Sequence, residues 1–130
     1  TVSTNATAGF RSFVAQSANL TNGTSDTINS FDDGTPPALN SETTWSTPTS
    51  PGHFGFTTTD VVSGSAFDTT GTKFGGFTGT TSYKIFDAGG PVNGTGAGGT
   101  ADIGYSLEIT GTQPAGTYTN TLTYTSYGIF

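Results

Sequence analysis

The feature that most constrains this chain is a strict alternation of large apolar with smaller or polar residues in its last third. Between residues 103 and 109 every second residue is large and apolar, and glycine, serine and glutamate stand between them. Successive side chains of a β-strand point to opposite faces, so the alternation predicts a strand with one buried face. The residues predicted to be buried are Ile103, Tyr105, Leu107 and Ile109.

A turn and a second alternating segment follow this strand. Residues 111–116, GTQPAG, contain a proline that donates no backbone hydrogen bond and two glycines that accept positive φ. Beyond the turn, Tyr118, Leu122 and Tyr124 alternate with threonines, and Asn120 is the one polar residue on the apolar side. We therefore predict that the two segments pair as a β-hairpin.

Short apolar and aromatic segments separated by turn-forming residues fill the rest of the chain. They predict about seven or eight short strands in a single domain over residues 1–130, and no convincing helix. That pattern is typical of an all-β fold, a β-sandwich of immunoglobulin-like or jelly-roll type. The predicted strands lie within residues 8–20, where a helix is the alternative, and within residues 26–31, 54–56 and 82–87; Trp45 is predicted to anchor a loop, and residues 88–100 to form an exposed connection.

The composition excludes several classes of protein. Only 9% of the residues are charged, the net charge is −6, and Arg11, Lys73 and Lys84 are the only cations, so nucleic-acid binding is not expected. No apolar run is long enough to predict a membrane span. The absence of cysteine excludes a disulfide framework, whereas 12% aromatic residues can supply a sandwich core. Since the chain begins at Thr1, we expect a processed form or an excised fragment.

Neither a catalytic, nor a cofactor, nor a metal site is predicted, and we do not expect an enzyme. The single histidine, His53, follows a Pro-Gly turn and is expected to have a structural or surface role. A glycoside hydrolase needs two facing carboxyls, but the spacing of the nine acidic residues selects no pair. The Asp32-Asp33-Gly34 sequence predicts a turn rather than a calcium loop, because alternating acids are missing.

Four asparagines lie in Asn-X-Thr sequences, the acceptor pattern for N-linked glycans. They matter only in a host that glycosylates, because such sequences also arise by chance in a threonine-rich chain. The candidate glycosylation sites are Asn5, Asn19, Asn22 and Asn93.

Residues 113–124, QPAGTYTNTLTY, resemble the C-terminal hairpin of spore-coat-U-type and related archaic chaperone–usher pilins. The segments VSTNATAGF at 2–10 and SANLT at 17–21 are more loosely similar to secreted β-sandwich surface proteins of prokaryotes, biofilm fibre subunits among them. The resemblance implies a subunit whose fold is completed by a strand from the next copy, by donor-strand complementation. The chain would then be a structural protein of an extracellular pilus or matrix fibre on a prokaryotic cell surface.

The end of the chain is the candidate for the strand that links subunits. After Tyr124 the alternation loses its phase, so this tail either closes the core or leaves its own sheet to bind a neighbour. The candidate assembly tail consists of Tyr124, Tyr127, Ile129 and Phe130. Copies of the chain itself would be the main partner.

A carbohydrate-binding or adhesin module is the alternative function. Such a module would bind glycans by stacking sugars on a flat, exposed aromatic platform. The aromatic residues available for it are Trp45, Tyr83, Tyr105 and Tyr127.

Overall fold

The computed structural model describes residues 2–31, 43–45, 52–59, 67, 70–93 and 100–130, which form strands joined by turns and irregular segments. No helix occurs among these residues. The strands are β1 Ser3–Thr4, β2 Phe10–Gln16, β3 Leu20–Thr21, β4 Thr27–Ser30, β5 Thr43–Thr44, β6 Gly52–Thr58, β7 Lys73–Phe74, β8 Tyr83–Ala88, β9 Val92–Asn93, β10 Ile103–Ile109 and β11 Leu122–Gly128.

Two sheets contain all the longer strands. Sheet I has the strand order β10-β6-β4-β3, and sheet II has the order β11-β2-β8. Within sheet I, β6 pairs antiparallel with β10 along seven residues and parallel with β4 on its other edge. Two small sheets, β1-β9 and β5-β7, complete the described strands. β10 stands at one end of sheet I and β11 at one end of sheet II, so among the described strands both are edge strands.

The hydrophobic core lies between sheets I and II. Phe54 and Phe56 of β6 face Val14 of β2 and Ile85 of β8, and all four side chains are buried. Thr58 also crosses the interface, since its hydroxyl donates a 2.8 Å hydrogen bond to the Ile85 carbonyl. The structure therefore confirms the predicted all-β class, in a sandwich-like arrangement of two packed sheets.

A β-bulge lets β8 contribute two consecutive residues to the interior. Ser12 of β2 pairs with Phe86, but the next residue, Phe13, pairs with Lys84, so Ile85 is an extra residue on β8. The bulge breaks the strict alternation, and Ile85 and Phe86 are both buried. Ile85 joins the main core, whereas Phe86 joins a second cluster with Phe10 and Ala88 near the end of the sandwich.

The predicted hairpin of the last third is wrong, because its two strands lie in different sheets. β10 pairs with β6, and β11 pairs with β2. The connection between them is too long for a tight turn and forms an arch over the end of the sandwich. Thr119 exchanges backbone hydrogen bonds with Thr21 of β3, and Asn120 donates to Gln16 and to the Ala18 carbonyl. These contacts carry the chain from sheet I to sheet II.

Two hydrogen bonds within the arch hold the side chain of Tyr118 in place. The Tyr118 hydroxyl donates to the Pro114 carbonyl at 2.8 Å and accepts a 2.7 Å hydrogen bond from the Gln113 amide. Asn120, the one polar residue on the apolar side of the predicted second strand, hydrogen-bonds the arch to sheet II. The arch brings β10 and β11 to face each other rather than to pair.

Two glycines with the same backbone angle allow a matched test of this packing. Gly9 and Gly23 both have a φ of 81°, but a Cβ on Gly9 would lie 1.8 Å from the Ala88 carbonyl oxygen, whereas one on Gly23 would meet nothing within 4 Å. Gly23→Ala should lower the free energy of unfolding by about 1 to 2 kcal/mol, the cost of left-handed backbone. Gly9→Ala should lower it by about 3 kcal/mol or more, because a steric clash is added. Urea denaturation of both variants measures the difference, and equal losses would contradict the close contact of Gly9 with β8.

Candidate functional site

The most unusual surface of the molecule is an open seam between the inward faces of β10 and β11. Tyr105 pairs with Phe56, and Tyr124 pairs with Val14, so both tyrosines lie on the faces that their sheets turn toward the core. No further strand covers this side of the sandwich among the described residues. We define the open seam by its exposed or half-buried inward residues, which are Ile103, Tyr105, Leu107, Ile109, Tyr124 and Ser126.

The seam exposes side chains that the sequence predicted to be buried. The exposed fractions are 38% for Tyr105, 51% for Leu107, 54% for Ile109 and 51% for Tyr124. Ile103, by contrast, is partly buried and packs against the core cluster. The alternation correctly predicted that these residues share one face, but not that the strand lies at an edge where half of each side chain stays in water. Exposed apolar side chains on one shared face make the open seam a candidate interaction site.

The phenol groups of Tyr105 and Tyr124 bridge the seam at its middle. Their hydroxyls are hydrogen-bonded to each other across the two sheets, and the Tyr105 ring stacks on Phe54 with 5.8 Å between ring centroids. Burial raises the pKa of Tyr105, and the hydrogen bond to Tyr124 raises it further, so the phenol stays protonated at physiological pH.

A cavity opens on each side of this tyrosine bridge. One has a volume of about 500 Å³ and is lined by Leu107 and Ile109, by the core residues Leu20 and Ile28, and by the arch from Gln113 to Tyr118. The other, of about 210 Å³, lies between Tyr124, Ser126, Ile103 and the second core cluster. The Ser12 and Ser126 hydroxyls, 2.6 Å apart, give the smaller cavity a polar wall. The open seam is thus a groove with a cavity on each side of the tyrosine bridge, and the larger cavity is lined mostly by apolar groups.

The opposite face of sheet I carries an aromatic layer centred on Trp45. The Trp45 ring stacks on Phe31 with centroids 4.7 Å apart and meets the edges of His53 and Phe74. Its indole N–H donates a 2.7 Å hydrogen bond to the Glu108 carboxylate on β10. Trp45 is thus packed against sheet I, while most of the loop that it was predicted to anchor lies outside the described residues. His53, which is 6% exposed, lies in this packed aromatic environment.

The bond from Trp45 to Glu108 gives a test with an intrinsic reporter, since Trp45 is the only tryptophan. Glu108→Ala removes the acceptor and should lower the free energy of unfolding by about 1 to 2 kcal/mol, with a red shift of the indole fluorescence as water replaces the carboxylate. Glu108→Gln keeps an acceptor oxygen and serves as the control, with a smaller loss. Unchanged fluorescence and stability in Glu108→Ala would show that the bond does not hold the layer in place.

The candidate aromatic platform for sugars is not assembled. Trp45 lies flat against Phe31 on one side of the molecule, and Tyr83 is only 5% exposed within the core. Tyr105 lies in the seam, whereas Tyr127 points to the outer face of sheet II, where it stacks on Phe13. The four residues predicted for glycan stacking therefore lie in different environments and do not form one flat surface.

The candidate assembly tail lies within its own sheet in this structure. Tyr124 and Tyr127 belong to β11, which pairs with β2 over seven residues. Ile129 extends the pairing, since its carbonyl accepts from the Ala8 N–H at 3.0 Å and its N–H donates to the Gly9 carbonyl at 2.9 Å. Phe130 is 92% exposed. A role of these residues in assembly stays a prediction.

The candidate glycosylation sites differ in their exposure to solvent. Asn5 and Asn93 are exposed. The Asn22 amide donates to Asp26 at 2.8 Å, and its carbonyl accepts from Thr24, while Asn19 is hydrogen-bonded to Gln16. Asn5 and Asn93 are the more accessible of the four, and modification of any of them stays a prediction.

An ion-pair cluster lies on the outer face of sheet II. Asp87 contacts Lys84 at 2.8 Å and Arg11 at 3.2 Å, so two of the three cations of the chain meet one carboxylate. Burial acts to raise the pKa of Asp87, but the hydrogen bonds and charges of Lys84 and Arg11 outweigh it and hold the pKa below its ordinary value of 3.8. The cluster joins β2 to β8 at the strand that carries the bulge.

The lowered pKa of Asp87 predicts a dependence of stability on acid. A carboxyl with a lower pKa in the folded state stabilises the fold above its unfolded-state pKa, and this contribution is lost as the pH falls from about 4 through the folded pKa. Asp87→Asn should therefore lower the free energy of unfolding by up to about 1 kcal/mol at neutral pH. Below pH 4 the variant should lose less stability with falling pH than the unmodified chain. The control Asp102→Asn removes an exposed carboxyl that has no ion pair in the described ranges, and urea unfolding from pH 7 to pH 2 compares the two. Parallel pH profiles of Asp87→Asn and the unmodified chain would contradict the ion pairs.

A metal site is not formed by the residues that the structure describes. Within it, no three histidine, aspartate or glutamate side chains are close enough to bind a metal ion. The Asp32-Asp33-Gly34 turn lies outside the described residues, as do five of the nine acidic residues, so the prediction for that turn stays a prediction. Among the described residues no helix has the length and apolar character needed to cross a membrane.

Comparison with protein-family models, with curated protein sequences and with solved structures finds no match. The pilin-type resemblance of residues 113–124 therefore rests on those residues alone, and the geometry of the open seam must carry any proposal about function.

Proposed function

We propose that this protein is a structural subunit of an extracellular filament, assembled with copies of itself by strand exchange or donor-strand complementation at the open seam. The observation that carries the proposal is the seam itself: two edge strands of facing sheets present apolar inward faces, and none of the described strands lies between them. A strand added to either edge would alternate its side chains, with one set entering the space between the sheets. The inward side chains of the added strand would enter the two cavities beside the tyrosine bridge.

The edges of β10 and β11 also lack the features that usually prevent strand pairing. Natural edge strands are protected by lysines, prolines, bulges or inward-pointing charges. Both strands run for seven residues in continuous register and contain neither proline nor a cation. The single charged side chain, Glu108, points away from the seam to Trp45. Long, regular edges whose one charge points away from the seam favour pairing with another chain.

β11 is the strand whose exchange between copies would disturb the fold least. Leu122 is half-buried, but every other residue of β11 is exposed. Elements with little burial open at lower free energy than core strands such as β6. In an exchanged assembly the candidate tail, with Tyr124 and Tyr127, would occupy the β2 edge of a neighbour. A head-to-tail contact between unlike surfaces of successive copies propagates into a filament when its rotation does not close a ring.

Composition supports the extracellular part of the proposal. A surface of threonine, serine, asparagine and glycine with only 9% charged residues is typical of many secreted proteins. We place the protein at the surface of a prokaryotic cell on this ground and on the pilin-type resemblance. Detection of the native protein in the surface fraction of intact cells, by surface proteolysis, tests this placement.

Assembly is tested by adding one charge to the seam. The unmodified chain at micromolar concentration should form filaments or higher oligomers, seen by electron microscopy and size-exclusion chromatography. If an added strand covers the seam, Leu107→Glu should remain monomeric, because the carboxylate would be buried without a partner. Exchange of β11 alone rebuilds the same seam and should leave the assembly of this variant unchanged. The effect of the substitution on monomer stability should be small, since Leu107 is 51% exposed.

Thr123→Glu is the matched control, because it adds the same charge to an exposed residue on the outer face of β11. It should assemble like the unmodified chain. A monomeric unmodified chain under all conditions would refute self-assembly, and equal loss of assembly in both variants would show that net charge, not the seam, controls association.

A further inference from the structure

Tyr105 and Tyr124 are placed as a pair that oxidation can join. They come from facing sheets and are 19 residues apart in the chain, and their hydroxyls are hydrogen-bonded to each other. Both side chains reach solvent, with exposed fractions of 38% and 51%. The chain has no cysteine, so no disulfide can connect β10 with β11.

We propose that Tyr105 and Tyr124 form an intramolecular dityrosine cross-link when the protein meets a peroxidase-type one-electron oxidant together with hydrogen peroxide. The site is a modification site, and its co-reactant is the peroxide. The cross-link would fasten the two sheets at the middle of the open seam.

The reaction balances without any group from the protein beyond the two phenols. Each phenol loses one electron and its hydroxyl proton, which gives two tyrosyl radicals. The radicals join through the ring carbons next to the hydroxyls, so one carbon–carbon bond forms. The two ring C–H bonds then break as their hydrogens move to the oxygens, which restores both phenols. Hydrogen peroxide takes up the two electrons and two protons and becomes two waters.

The geometry selects this pair over the other tyrosines. The hydrogen bond holds the two hydroxyls together, so rotation of the side chains can bring the ring carbons beside them into contact, and partial exposure lets an external oxidant take the electrons. Tyr83 is buried and its hydroxyl accepts from the Thr78 N–H, while the Tyr118 hydroxyl is bound to Pro114. Tyr127 lies on the opposite face of sheet II.

The cross-link itself does not depend on the proposed function, but its consequence does. A bond between β10 and β11 would divide the seam permanently into its two cavities. It would also tie β11 to its own chain, so that β11 could not be exchanged. If the seam is the assembly site, cross-linking before assembly should therefore block filament growth.

The test treats the dilute, monomeric chain with a haem peroxidase and hydrogen peroxide. We expect dityrosine fluorescence, a monomer mass lower by two hydrogen atoms, and a linked peptide that joins Tyr105 to Tyr124. The cross-linked chain should unfold at a higher urea concentration than the untreated chain, because the link constrains the unfolded state. Tyr105→Phe and Tyr124→Phe should each lose the linked monomer, whereas the control Tyr127→Phe should keep it.

Linked peptides that join other tyrosines, or a yield in Tyr105→Phe equal to that of the unmodified chain, would overturn the proposal. Circular dichroism of both phenylalanine variants shows that a lost cross-link does not reflect unfolding. A chain that cross-links as expected but assembles normally afterwards would leave the cross-link standing and refute the seam as the site of assembly. The two proposals can thus fail separately.

Discussion

The burial of β6 on both of its faces is the constraint on which the rest of the structure depends. Phe54 and Phe56 point to sheet II, while His53 and Gly55 point to the aromatic layer of Trp45. Gly55 leaves room for that layer, because a Cβ there would lie 3.1 Å from the Trp45 ring. A strand with no solvent-facing side must be covered twice, and the chain covers it with sheet II on one side and Trp45 on the other.

Aromatic rings make this double burial feasible in a chain of low apolar content. Phe56 contacts Phe67, Phe77 and Tyr83 with ring centroids 4.7 to 5.7 Å apart, so one side chain touches several parts of the chain. Large rings bury more area per residue than aliphatic side chains, which compensates for the 31% hydrophobic content. The aromatic rings of β6 and its neighbours therefore pack in the centre of the sandwich, and few large side chains are left to cover the edge strands.

Sequence patterns predicted the strands well but not how they pair. Alternation and turn residues correctly indicated β2, β4, β6, β8 and β10, because these signals act within a few residues. The partner of a strand depends on contacts far apart in sequence, such as the backbone pairing of Thr119 with Thr21. An arch and a hairpin share the same proline and glycine signals, and only the length of the connection after Ile109 could have distinguished them. The bulge at Ile85 has no sequence signal that we recognise.

The same long-range contacts decide why the seam could not be found from the sequence. Periodicity showed that Tyr105, Leu107 and Ile109 share a face, and a shared apolar face is ordinarily a buried one. Exposure arises only because the arch places β10 and β11 at the same open side of two facing sheets, and because no described strand lies between them. Each edge strand alone would be prone to unspecific pairing, but the two that face each other form one groove. That groove has a cavity on either side of the tyrosine bridge, and it is on these cavities that the proposal of an inserted strand rests.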